Sequence, residues 1–308
     1  MQFLYLLEGI RNPVLNTLMS LITTLGEETV VIVMAVLVFW CVNKKDGYYL
    51  IGVGFFGMLI NQFLKVIFRI PRPWVLDENF TIVESAREQA TGYSFPSGHT
   101  QNATSLFGSV AMIAKKTWLK ITLVVVLLLV AFSRMYLGVH TPLDVGVSLL
   151  IGAVLVLGLR PLMNKFGDNN LFMAILFSSM AVLGIVMYIY MVTYKFPEGT
   201  DFTNIESGIY NSAKLIGASL ALLASYFIEK KYVKFDTKGS ILAQIIKVVV
   251  GFLLILAIKS GLSTPLAMLF GKNLGGGIRY FLIIIFAVVV WPMAFKFINK
   301  ITNKLLKK

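Results

Sequence analysis

Three polar clusters interrupt an otherwise apolar chain of 308 residues: Lys65-x6-Arg72-Pro73, Pro96-Ser97-Gly98-His99 and Ser133-Arg134-x5-His140-x3-Asp144. His99 and His140 are the two histidines of the sequence, and each falls inside a cluster. Together the clusters supply three cations, two imidazoles, a carboxylate and a glycine-opened helix start. Phosphoryl transfer through a histidine needs that set of groups.

Lys65 stands near the end of an apolar helical run, with Asn61 one turn earlier on the same face. Pro71 and Pro73 stop the helix and force Arg72 into an extended backbone. A lysine on a helix end and an arginine on a rigid turn can converge on one anion, as point charge and bidentate fork. Taken alone, the pair reads as juxtamembrane cations that snorkel to headgroups. In the second cluster Ser97 caps a helix, Gly98 admits close backbone approach, and the free N–H groups of the first turn face an anion beside His99. The plainer alternative is an ordinary N-cap next to an inert histidine. Thr141, Pro142 and Asp144 occupy the N-cap, first helical and third positions of the next segment, the form of a capping box. In the functional alternative Asp144 accepts a hydrogen bond from one nitrogen of His140, which fixes the tautomer and frees the other nitrogen to attack.

Long apolar helices must position these groups. Hydrophobic residues make up 57% of the chain and charged residues 14%, whereas a soluble domain is about one quarter charged. Apolar runs recur near 28–43, 47–68, 98–114, 118–137, 142–161, 170–191, 207–228, 240–258 and 278–297. Crossing roughly 30 Å of hydrocarbon takes about 20 helical residues. The pattern predicts an all-α, polytopic transmembrane bundle of about nine spans. Residues 1–26 hold two shorter runs with neither a Lys/Arg-rich start nor a cleavage site, which predicts interfacial helices rather than a signal peptide. The expected organisation is 1–26 as interfacial N-terminal helices, 27–162 as the core with all three clusters, and 163–308 as additional C-terminal spans. Cys41, the single cysteine, can form no internal disulfide.

Charge orients the bundle. Alternate connections carry Lys44, Lys45, Lys115, Lys116, Lys120, Arg160, Lys165, Lys230, Lys231, Lys234 and Lys238, followed by a tail with Lys296, Lys300, Lys304, Lys307 and Lys308. That face nets +12 and the opposite face −1; Lys214 and Lys247, inside spans, complete the +13. The positive-inside rule makes the first face and the C-terminus cytoplasmic, and all three clusters extracytoplasmic. Topology accounts for the basic balance, so no nucleic-acid partner is expected. The expected location is a bacterial plasma membrane with the site facing outward.

In order and spacing the clusters resemble the type 2 phosphatidic acid phosphatase superfamily. That group includes lipid phosphate, polyprenyl diphosphate and sphingoid-base phosphate phosphatases, glucose-6-phosphatase and the vanadium haloperoxidases. Every motif position is matched within residues 60–160. The resemblance implies a phosphatase in which His140 attacks phosphorus to form a phosphohistidine, Asp144 orients it, and His99 protonates the leaving group. It also implies that Lys65, Arg72, Ser97, the Gly98 amide and Arg134 hold the phosphate oxygens. No metal and no other cofactor is expected, because fixed cations supply the electrostatic stabilisation. The partners expected are the bilayer and a lipid phosphate or diphosphate substrate. A transporter using the site only to bind phosphate is the alternative; binding alone leaves both histidines and Asp144 unexplained. Vanadate-dependent halide oxidation is disfavoured because those relatives are soluble.

Weaker signals remain. Lys214 and Lys247 are intramembrane cations for which snorkelling is the leading account, with Glu206 as a possible partner of Lys214. Gly275-Gly276-Gly277 before Arg279 reads as a flexible re-entry turn. Trp74 and Tyr93 flank the clusters as interfacial aromatics.

Overall fold

The structure, a computed structural model, describes residues 1–88 and 90–305. Lys307 and Lys308 of the basic tail lie outside the described residues. The described chain is helical with no strand. It divides into two compact units, Met1–Ala35 with Tyr49–Leu162, and Val36–Tyr48 with Met163–Lys308.

Among the described residues, seven helical segments are long and apolar enough to cross a membrane: Lys44–Leu76, Thr117–Tyr136, Pro142–Phe166, Asn170–Thr193, Phe202–Val233, Ile241–Phe270 and Lys272–Met293. Pro13–Thr24 and Glu28–Cys41, bent by 44°, together qualify as an eighth. The expected count of about nine also included 98–114. That stretch forms the helix Gly98–Ala103, a π-turn over Thr104–Gly108 and the helix Ser109–Ile113. At 1.5 Å per residue it rises about 24 Å, less than any of the seven longer helices. Its polar side chains Thr100, Gln101, Thr104, Ser105 and Ser109 are all buried. A helix clad in protein can carry such groups where a lipid-facing one cannot. Lipid-facing surface looks different: Leu150, Val154 and Leu157 recur at helical spacing on Pro142–Phe166 and are about 60% exposed.

In the first unit, prolines and one left-handed residue shape the chain around the clusters. The helix Lys44–Phe68 ends at Arg69, which adopts φ 48°. Arg72 is extended and serves as N-cap of a single turn, Pro73–Leu76, with Pro73 at its first position. The stop read from Pro71 and Pro73 is therefore real. Between Tyr136 and Pro142 the chain reverses through Gly138 at φ 81°. That left-handed backbone requires glycine, and a Cβ there would also crowd Arg11 Nη2 at 2.7 Å.

In the second unit, side chains cap the helix starts. Asn169 Oδ1 accepts from the amides of Leu171 (2.8 Å) and Phe172 (3.1 Å), Asp201 Oδ1 from Thr203 (3.0 Å), and Ser240 Oγ from Ala243 (3.2 Å). The triplet Gly275–Gly277 is not a re-entry turn. It lies buried inside the helix Lys272–Ile285, where it packs against Leu266, Tyr210, Ala213 and Gly217. Small residues are placed there because they let helix backbones touch, which is how membrane helices associate without a hydrophobic driving force. Lys214 stacks over the rings of Tyr210 (4.9 Å) and Tyr280 (5.2 Å). Lys247 is fully buried, donates to Lys238 O (3.1 Å) and lies over Phe295.

Candidate active site

All three clusters meet in the first unit. Lys65 Nζ, buried on its helix end, donates to Tyr93 O and to Ser94 O (3.4 Å), joining the first cluster to the loop before the second. Ser97 N donates to Asp144 O at 3.2 Å, joining the second to the third. Arg72 closes the circle: Nη1 donates to Val139 O and lies 2.9 Å from His140 Nε2. Its Nε and Nη2 donate to Gly92 O (3.0 Å) and Thr91 O (2.7 Å). Four of the five guanidinium N–H groups are thus engaged, so Arg72 anchors the walls as well as adding charge.

The Arg72 contact also settles the tautomer of His140. A guanidinium can only donate, so Nε2 is the acceptor and carries a lone pair. The proton resides on Nδ1, which faces Asp144 Oδ2 at 3.4 Å. Burial first, and then Arg72, Arg134, Lys65 and His99, hold the His140 imidazole well below its usual range. It is therefore a neutral base at pH 7.

The structure realises the capping reading of Asp144. Its Oδ2 accepts from Thr141 N (2.7 Å) while Thr141 Oγ1 accepts from Asp144 N (3.3 Å), a reciprocal capping box. The same Oδ2 accepts from Ser94 Oγ at 2.6 Å and faces His140. The cap thus fixes the carboxylate beside the histidine.

Ser97 caps its helix, its Oγ accepting from Thr100 N (3.4 Å) and Thr100 Oγ1 (3.0 Å). Gly98 sits beside Asn61, whose Oδ1 would be 3.8 Å from a Cβ at that position. Arg134 is completely buried; Nη1 donates to Thr23 Oγ1 at 2.7 Å, and Nε has no protein partner. Asn61 Nδ2 and His99 Nε2 are likewise buried and unpartnered. A buried N–H without an acceptor is costly. These nitrogens, on residues of all three clusters' helices, can be satisfied by phosphate oxygens.

Sequence reasoning passed over Ser94 and Thr23. Ser94 stands two residues before Pro96 in the same segment, so adjacency to the motif was an available signal. Thr23 lies 111 residues from Arg134 and offered none. Because Ser94 holds Asp144, replacing it with alanine should lower kcat while leaving KM nearly unchanged. A hydrogen bond to a charged group contributes about 1.5–3 kcal/mol, so the loss should be roughly ten- to a hundredfold. Initial rates over a substrate series check this, and an unaltered kcat would remove Ser94 from the site.

Comparison with known proteins identifies the family. Residues 46–168 match the PAP2 superfamily, and residues 213–303 match the transmembrane extension of PAP2 superfamily phosphatases. Undecaprenyl-diphosphatase BcrC of Bacillus subtilis (strain 168) is 30% identical over 146 residues, 47% of this chain and 72% of that relative. Phosphatidylglycerophosphatase B of the same organism is 31% identical over 159 residues, covering 47% of this chain and 74% of the relative. An undecaprenyl-diphosphatase of Sulfolobus acidocaldarius is 30% identical over 141 residues, 45% and 66% of the two chains. No solved structure matches the chain. The chain belongs to the PAP2 superfamily, the type 2 phosphatidic acid phosphatase group that its three motifs resemble. It is an integral-membrane hydrolase of the phosphatase class.

Proposed function

We propose that this enzyme hydrolyses a lipid phosphate or diphosphate on the extracytoplasmic face, through a phosphohistidine on His140. The observation that carries the mechanism is the paired contact of His140, with Arg72 donating to Nε2 and Asp144 facing Nδ1. In the first step Arg72 turns its Nη1 hydrogen bond from Nε2 to a phosphate oxygen, and the freed Nε2 lone pair attacks phosphorus as the bond to the leaving oxygen breaks. Bound phosphate charge favours the protonated form of His99, which gives its proton to that oxygen. The new N–P bond leaves the His140 ring cationic, and Asp144 stabilises it. In the second step His99 takes a proton from water, the water oxygen attacks phosphorus, and the N–P electron pair returns to Nε2. Lys65, Arg72, Arg134, Ser97 and the Gly98 amide hold the non-bridging oxygens throughout.

Three cations suit the charge of a diphosphate headgroup, and two of the relatives above are named undecaprenyl-diphosphatases. A long-chain isoprenoid diphosphate is therefore the substrate expected to turn over fastest. The outward orientation rests on the distribution of lysine and arginine between the two faces. Phosphate release by the purified protein is to be compared for undecaprenyl diphosphate, phosphatidic acid, phosphatidylglycerol phosphate, a sphingoid phosphate and glucose 6-phosphate. Faster release from soluble glucose 6-phosphate than from every lipid would overturn the lipid assignment.

A further inference from the structure

From a lysine-rimmed cavity in the second unit we infer that the protein has another phosphate-binding site, separate from the His140 site. The cavity measures about 240 Å³ and is lined by Lys44, Lys45, Lys230 and Lys234 together with Tyr48 and Tyr226. A water molecule takes about 30 Å³ in the liquid, so a phosphate group and several waters fit. Asp168 and Glu229 also line it and neutralise two of the four lysines, leaving a local surplus of two positive charges.

The wall is built rather than a chance gathering of surface lysines. Glu229 is buried and holds Lys44 Nζ at 2.6 Å, and the same ammonium lies 4.1 Å from the centre of the Phe235 ring. Lys45 Nζ is held by Asp168 Oδ2 (2.8 Å) and Asn164 O (3.2 Å). Lys230 Nζ donates to Asp168 O, Asn170 Oδ1 and Tyr226 OH, at 2.7, 2.7 and 3.1 Å. Its three donors are engaged, so Lys230 acts on a ligand through its charge. Lys44 and Lys45 each retain N–H donors after these bonds.

Tyr48 identifies the ligand's chemistry. The residue is 4% exposed, lines the cavity, and its hydroxyl is buried with no hydrogen-bond partner. Its ring is fixed between Phe39, Phe177 and Tyr226 at centroid distances of 4.9, 5.8 and 5.5 Å. A rigid O–H donor amid surplus cations calls for an anion with acceptor oxygens. The phosphate can come from an anionic lipid headgroup or from a free phosphate.

The test counts ligands on the delipidated full-length protein by native mass spectrometry, with inorganic phosphate in one arm and phosphatidylglycerol in the other. Phosphatidylcholine serves as the zwitterionic control. Variants Tyr48→Phe and Lys45→Gln/Lys234→Gln should bind the successful probe at least tenfold more weakly than the parent. Tyr48→Phe keeps the ring packing, so its thermal midpoint should match the parent's. Arg134→Ala, altered only at the His140 site, should retain this binding. Phosphatidylglycerol binding that inorganic phosphate does not displace identifies a lipid headgroup; displacement identifies the phosphate group itself as sufficient. The inference fails if neither probe distinguishes Tyr48→Phe from the parent, or if Arg134→Ala abolishes all binding.

Discussion

Replacing His140 with alanine should reduce phosphate release by about 10⁴-fold or more, in line with removal of a nucleophile that no neighbour can replace. The side chain is buried, with Arg72 on Nε2 and Asp144 facing Nδ1, so no water or second histidine can take up its position without rearrangement. Asp144 would keep its bonds from Ser94 and Thr141, and Arg72 its bonds to Thr91, Gly92 and Val139. The cavity walls should therefore persist, and substrate affinity should fall far less than turnover. Rapid quenching in alkali, where phosphohistidine survives, should recover labelled protein from the parent and none from His140→Ala. A His140→Ala enzyme that releases phosphate at the parental rate would refute the nucleophile assignment. His99→Ala should instead slow both half-reactions while still allowing some phosphoenzyme to form from a substrate with a good leaving group.

The second large effect concerns folding. A Cβ on Gly217 would sit 2.1 Å from the carbonyl oxygen of Gly277 and 2.7 Å from its carbon. Both atoms belong to the backbone of the helix Lys272–Ile285, so no side chain can rotate out of the way. Overpacking of this kind costs about 1–3 kcal/mol where neighbours can shift, and more where they cannot. Gly217→Ala should lower the thermal midpoint by several degrees, and Gly217→Val should prevent recovery of folded protein. Gly158 provides the control, because nothing lies within 4 Å of its added Cβ. Gly158→Ala should be neutral or stabilising by about 0.5–1 kcal/mol, since alanine restricts the unfolded chain. Equal midpoints for Gly217→Ala and Gly158→Ala in a thermal melt would show that the helices do not cross at this glycine.

Much of the site was legible because its signals are local. Pro71 and Pro73 determine where the helix of Lys65 stops and how Arg72 is held, whatever surrounds them. Thr141, Pro142 and Asp144 specify a helix start by their spacing, and a capping box formed as expected. Signals failed where spacing is compatible with two environments. The stretch 98–114 is apolar in sequence, yet its polar residues turn toward protein and a π-turn lies within its helix. Three consecutive glycines suggest a turn until a second backbone is placed against them.

What the chain determines by itself is therefore a membrane bundle, its helix ends, and the presence of the cations, imidazoles and carboxylate of a phosphate site. Those properties follow from side-chain hydropathy, from proline and capping chemistry, and from contacts within about one helical turn. Tertiary structure alone decides that Ser94 holds Asp144 from 50 residues away, that Thr23 holds Arg134 from 111 away, and that Arg72 fixes the tautomer of His140. It alone leaves the Tyr48 hydroxyl unpartnered in a lysine-lined cavity. Hydrogen-bond partners are chosen by distance in space, and sequence spacing constrains that distance only between neighbours along the chain.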